Sequence, residues 1–180
     1  MCQNVIGFFT GVVRIYYDDE HTKLDEEYFQ VNGKKEGEYK SYYENGYLCW
    51  ICTYINDKEE GEYKEYYDTG EISFICYYVD GNENGEYKCY YKNGCELSED
   101  NSKRKNLLKT YSYGQLYKTC FYIDDKDNGE YKEYWANGQL GLIYSCIDGT
   151  MYGEYKRFNE LGEIIVSFCF DDKKNSKIKE

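Results

Sequence analysis

At 180 residues and a formal net charge of −12, the chain has the size of one globular domain or one run of repeats, and its charge repels polyanions. Nucleic acid is therefore excluded as a partner and anionic lipid is disfavoured. Tyrosine dominates the apolar content, with 25 residues against 8 phenylalanines and 2 tryptophans. That composition excludes a thick aliphatic core and points to a thin structure whose rings are covered at the base and wet at the hydroxyl.

Residues 1–10 read as a lead-in strand, apolar but interrupted by Gly7 and Thr10. Neither a secretory leader nor a window of the ~20 apolar residues that a membrane helix needs is visible. With nine cysteines, an odd number, the expectation is an intracellular chain with reduced thiols.

From residue 11 the chain repeats. Gly-Glu-Tyr-Lys opens segments at Gly37, Gly61, Gly85, Gly129 and Gly153; the first three lie 24 residues apart, and so do the last two. The 44-residue gap between Gly85 and Gly129 reads as one ordinary copy plus a short degenerate one, because residues 110–116 align with 42–48. Residues 11–17 align in turn with 37–43. Seven copies, starting near 11, 37, 61, 85, 105, 129 and 153, then fill residues 11–170, and 171–180 form a charged tail.

Each copy predicts one β-hairpin. Strand A is Glu-Tyr-Lys-x-Tyr-Tyr, with a first ring at Tyr39, Tyr63, Tyr87, Tyr131 or Tyr155 and a later ring at Tyr43, Tyr67, Tyr91 or Trp135. A turn follows at Gly46, Gly70, Gly94 or Gly138, several times as Asn-Gly, whose two residues tolerate positive φ. Strand B is rich in β-branched and aromatic residues, as in residues 72–79, and a second polar turn leads to the next glycine. The expected fold is all-β: an elongated, twisted antiparallel meander of about seven hairpins, its rings covering one another along a ribbon. Glu38 and Lys40, two apart on one face and repeated in four more copies, are expected to pair with their counterparts in neighbouring copies.

The pattern Gly-Glu-Tyr-Lys-x-Tyr-Tyr-x-x-Gly-x-Leu, complete at residues 37–48 and recurring over about nine-tenths of the chain, resembles the MORN repeat in its bacterial-type, antitoxin-like variant. The tyrosine-rich, cysteine-bearing style is also similar to MORN chains of large DNA viruses, which would place the protein in a host cytoplasm. The resemblance implies a curved β-meander used for protein–protein contact or membrane association, with catalysis left to separate domains. The longer loop of the first copy, and Leu107 in place of a tyrosine in the fifth, depart from the pattern.

Motifs that could carry chemistry are weak. Cys49 and Cys52 form a lone Cys-x-x-Cys within a strand, where residues three apart face opposite sides. Cys52, Cys76 and Cys120 share one repeat position and read as small core-facing hydrophobes. Residues 80–85 and 124–129 imitate the start of a calcium loop, yet Tyr91 and Trp135 stand where the bidentate glutamate belongs. His21 lies in an acidic loop, and Lys103, Arg104 and Lys105 form a short solvated basic run. No catalytic residue, cofactor or metal site is expected. The functional expectation is a non-catalytic scaffold that contacts an unidentified protein through its aromatic surface. The alternative is a peripheral membrane module, which the charge disfavours. Unpaired terminal strands offer a route to a homodimer, with the charged tail blunting one of them.

Overall fold

The computed structural model describes residues 9–92, 114–170 and 177–178. Every regular element among them is a strand, in keeping with side chains that are branched or aromatic at alternating positions. Two compact bodies form, Met1–Gly85 and Glu86–Glu180. The first contains β1 (Gly11–Tyr16), β2 (Leu24–Val31), β3 (Lys34–Tyr42), β4 (Leu48–Ile55), β5 (Lys58–Tyr66), β6 (Ile72–Val79) and the short β7 (Asn82–Glu83). The second contains β8 (Gly85–Tyr90, starting at the boundary), β9 (Leu116–Ile123), β10 (Lys126–Asp127), β11 (Gly129–Tyr134), β12 (Leu140–Ile147), β13 (Thr150–Phe158), β14 (Ile164–Phe170) and β15 (Lys177–Ile178). Within each body the strands pair antiparallel with their neighbours in chain order, so the meander expected from the repeat is what forms.

The two turns of each copy differ from the sequence expectation. At the Asn-Gly turns only the glycine is left-handed, Gly46 at φ 86° and Gly138 at 82°. The Gly46 N–H donates to the Tyr43 carbonyl at 2.8 Å and the Tyr43 N–H to the Tyr47 carbonyl at 2.8 Å, a three-residue loop ending in a glycine bulge. The asparagine is there for its side chain: Asn45 Oδ1 accepts from the Tyr47 N–H at 3.0 Å and Nδ2 donates to the Asp68 carbonyl at 2.7 Å. The tight two-residue turns instead join one copy to the next. Both central residues are left-handed at Asn32-Gly33 (52°, 80°), Asn56-Asp57 (53°, 70°) and Asp80-Gly81 (54°, 85°). Asn, Asp and Gly adopt that conformation at least cost, which explains the polar composition.

The glycine that opens a copy begins β1, β8 and β11, as the sequence pattern suggested, but lies inside β3, β5 and β13. β5 starts at Lys58 and passes through Gly61, whose φ of 81° marks a bulge. Ile51 pairs with Lys64 and Thr53 with Glu60, so residues 61–63 all oppose Cys52. The same shift recurs between β2 and β3 and between β12 and β13.

The hairpin that opens at Gly85 closes on residues that the alignment assigns to the next copy. The Tyr91 N–H donates to the Gln115 carbonyl at 2.9 Å, the bond that Tyr67 makes to Glu71 at 2.8 Å. β8 and β9 are therefore the two arms of one hairpin, and β10 and β11 occupy the other edge of β9. Six hairpins stand among the described residues. The copy expected to open near 105 shares its second strand with the copy that opens at Gly85. Its first strand, together with Gly94, Leu107 and the run Lys103, Arg104 and Lys105, lies outside the described residues. So do most of the lead-in segment 1–10 and all of the tail 171–180 except β15, which pairs with β14.

Candidate functional site: the aromatic face

In the first body, rings from successive strands stack into one row on one face. Tyr28, Tyr39, Trp50, Tyr63 and Phe74 follow one another at centroid separations of 5.1, 4.5, 5.5 and 5.5 Å, with planes within 19° of parallel. Strand-A tyrosines thus alternate with strand-B aromatics, because antiparallel pairing sets Tyr39 beside Cys52 and Ser41 beside Trp50. Tyr54 tilts against Tyr39 at 5.5 Å, and Tyr78 meets Tyr63 edge-on at 5.8 Å. Cys52 and Cys76 fill the floor between the rings, 3% and 1% exposed, and burial pushes both thiols up to about 12. The second body has its own row, Tyr131, Tyr144, Tyr155 and Phe168, spaced 4.4, 6.1 and 4.6 Å apart, with Tyr87 edge-on to Tyr122.

Charged groups border the rings. The Lys35 ammonium lies over Tyr28, Tyr39 and Tyr54, 5.2, 4.2 and 4.9 Å from their centroids, and Lys118 lies over Tyr87 and Tyr131 at 5.1 and 4.9 Å. Tyr54 donates to Glu59 Oε1 at 2.7 Å, and Tyr131 to Glu133 Oε1 at 2.6 Å. Burial, and then a hydrogen bond to Glu26, hold the Tyr39 phenol well above its ordinary range. Burial likewise raises the Glu65 carboxyl, against the lowering effect of its hydrogen bond to Tyr63.

The later ring of strand A straps one hairpin to the next at four places. Tyr43 donates its hydroxyl to the Tyr66 carbonyl at 2.7 Å, Tyr17 to the Tyr42 carbonyl at 2.6 Å, Tyr91 to the Tyr134 carbonyl at 2.8 Å, and Trp135 Nε1 to the Phe158 carbonyl at 3.0 Å. Each accepting residue sits where the ladder shifts register, as between Glu65 and Tyr66.

The MORN repeat variant family matches residues 35–56, 59–80 and 127–140. The first two spans run from one tight turn to the next, which is the hairpin boundary seen in the fold. The chain is a MORN repeat-containing protein. No curated protein matches it.

Within these MORN hairpins the sequence-derived positions separate into two groups. Tyr39 and Tyr63, with Tyr131 and Tyr155 in the second body, lie in the ring rows; Tyr43, Tyr91 and Trp135 are straps. Sequence reading missed the strand-B members Tyr28, Trp50, Phe74, Tyr144 and Phe168. It also missed Lys35 and Lys118, which the repeat pattern does not mark. Cross-strand pairing was the only signal that could have found them. The Glu-x-Lys pairs form within one strand rather than between copies: Lys88 reaches Glu86 at 2.7 Å and Lys156 reaches Glu154 at 2.6 Å, with the same pairing in Glu38–Lys40, Glu62–Lys64 and Glu130–Lys132. Two side chains i and i+2 on a strand stand side by side, whereas the next like strand is two ladder spacings away.

The remaining motifs resolve into local structure. Cys49 is half-buried beside Tyr43, while Cys52 lies on the opposite face of the sheet, among the stacked rings. Residues 80–85 are a tight turn running into β7, and the Asp80 carboxylate accepts from Lys58 Nζ at 2.6 Å. Residues 124–129 likewise turn directly into β10. His21 is exposed, left-handed at φ 56°, and packs its ring on Tyr16 at 4.8 Å. The adjacent Asp18 carboxylate accepts from the Thr22 backbone N–H at 2.8 Å and from the Thr22 hydroxyl, which lowers its pKa.

Proposed function

We propose that this protein is a non-catalytic scaffold that binds another protein through its aromatic face. The observation that carries this reading is the uneven cover of the ring row. Tyr39 and Tyr54 are 2% and 7% exposed, while Trp50, Tyr63, Phe74 and Tyr78 are only half-buried in the same row. Rigid, stacked rings with a wet edge offer large contact area at little conformational cost, the property that makes tyrosine a recognition residue. Cys49, Cys52, Cys76, Cys146 and Cys169 are free thiols, which fits a reducing compartment. The experiment is capture from cell extract with lysine- and carboxylate-reactive cross-linkers. The expected result is one specific partner whose cross-links flank the ring row; a chain that captures nothing above background overturns the reading.

A second reading, peripheral association with a membrane surface, is favoured by a different feature. Val31, Ile55 and Val79 are 37%, 47% and 50% exposed on the face opposite the rings. Lys34 and Lys58 pair directly with the first two. Flotation with vesicles of graded anionic content separates the readings: binding that grows with anionic lipid and vanishes in salt replaces the scaffold with the membrane module.

A further inference from the structure

The first body builds one ring site twice and fills it once. In the first instance Tyr54 tilts against Tyr39 at 5.5 Å and 55°, and the ammonium of Lys35 lies over both rings and over Tyr28. That site is closed: Tyr39 and Tyr54 are 2% and 7% exposed. One hairpin later Tyr78 meets Tyr63 at 5.8 Å and 65°, nearly the same geometry. The residue in the place of Lys35 is Glu59, 24 positions on. Tyr63 and Tyr78 are half-buried rather than buried. Glu59 accepts a hydrogen bond from Tyr54 on one side, and Glu65 stands beside Tyr63 on the other. The repeat thus keeps the ring pair and exchanges the cation for a carboxylate. Lys118 over Tyr87 and Tyr131 shows that rings of the second body also take an ammonium.

We propose that the Tyr63–Tyr78 ring pair, with Glu59, receives a lysine side chain from a partner protein in the way that the Tyr39–Tyr54 pair receives Lys35. This rests on the scaffold reading and names the partner chemistry: an extended, lysine-bearing segment. The ring faces supply attraction to the cation, the glutamates supply the opposite charge, and a net charge of −12 draws basic segments to the surface. Acetylated lysine has no place there, because it brings a neutral amide that the carboxylates do not attract.

The test uses the full chain, an unstructured Lys-Gly repeat peptide, and the same peptide with its lysines acetylated. Calorimetry gives affinity, and the indole N–H resonance of Trp50, stacked on Tyr63 at 5.5 Å, reports occupancy from the adjacent ring. Saturable binding of the lysine peptide is expected, with a shift of the Trp50 signal and no binding of the acetylated peptide. Glu59→Gln and Tyr78→Leu each weaken binding about fivefold or more, whereas Tyr78→Phe, which keeps the ring, stays near wild type. Glu38→Gln removes the same charge from the opposite face and changes affinity less than about twofold. Equal losses from Glu38→Gln and Glu59→Gln, unaltered binding by Tyr78→Leu, or equal binding of the acetylated peptide overturns the proposal. Partner cross-links that still flank the ring row while lysine peptides fail to bind leave the scaffold reading standing and remove this inference alone.

Discussion

Replacing Tyr43 with phenylalanine tests what couples one hairpin to the next. The substitution keeps the ring and deletes only the hydroxyl that donates to the Tyr66 carbonyl at 2.7 Å, 23 residues on. A neutral hydrogen bond contributes about 0.5–1.5 kcal/mol net, and a carbonyl left dry costs about 1–3 kcal/mol. Tyr43 is half-buried, so water reaches part of the vacated acceptor, and the loss expected is about 1 kcal/mol, the middle of the net range. Stacked repeats need not unfold in one step, so a global denaturation midpoint can hide a local effect. The appropriate assay is native-state amide exchange in β3 to β6, read as opening free energies at each amide. Tyr43→Phe should lower those values across β4 and β5, where two hairpins meet. Tyr47→Phe, on a ring that is 53% exposed, should stay within about 0.5 kcal/mol of wild type. A Tyr43→Phe loss no larger than that of Tyr47→Phe would refute the assignment of the later ring as a strap.

Gly37→Ala tests the bulge: its φ is 81° and an added Cβ meets nothing within 4 Å, so the expected loss of about 1–2 kcal/mol in urea unfolding is purely conformational. Gly37→Asn should lose less, and an alanine variant as stable as wild type contradicts the left-handed assignment. Site-resolved mass spectrometry after iodoacetamide treatment at pH 8 should find exposed Cys169 modified first among the described cysteines, with Cys52 and Cys76 modified only on unfolding, since burial holds their thiols at about 12; early native labelling of Cys76 argues against the ring-row floor. Glu65→Gln probes the raised carboxyl. A folded pKa above the unfolded one means that the wild type loses stability as pH rises from the ordinary glutamate range through the raised value. The variant should therefore match wild type in acid and exceed it in melting temperature at neutral pH; an advantage that shrinks as pH rises would invert the sign and defeat the assignment.

The 24-residue spacing of Gly-Glu-Tyr-Lys determined by itself that the chain is all-β, built of hairpins, and paired in chain order. It could do so because strand alternation and turn chemistry are local properties, written within a few residues of where they act. Residue types at single positions were legible for the same reason: Tyr39 and Tyr63 as stacked rings, Cys52 and Cys76 as buried thiols. Tertiary structure alone decided which turn is tight, because Asn45 spends its side chain on a bond to Asp68, a residue in the next copy. It decided that β9 closes the hairpin opened by β8, on the far side of residues 93–113, because sequence alignment reads similarity rather than pairing. Above all it decided the site. That Lys35 closes one ring pair while Glu59 leaves its counterpart open depends on bulges that set residues of three strands on one face, and no linear pattern marks that meeting.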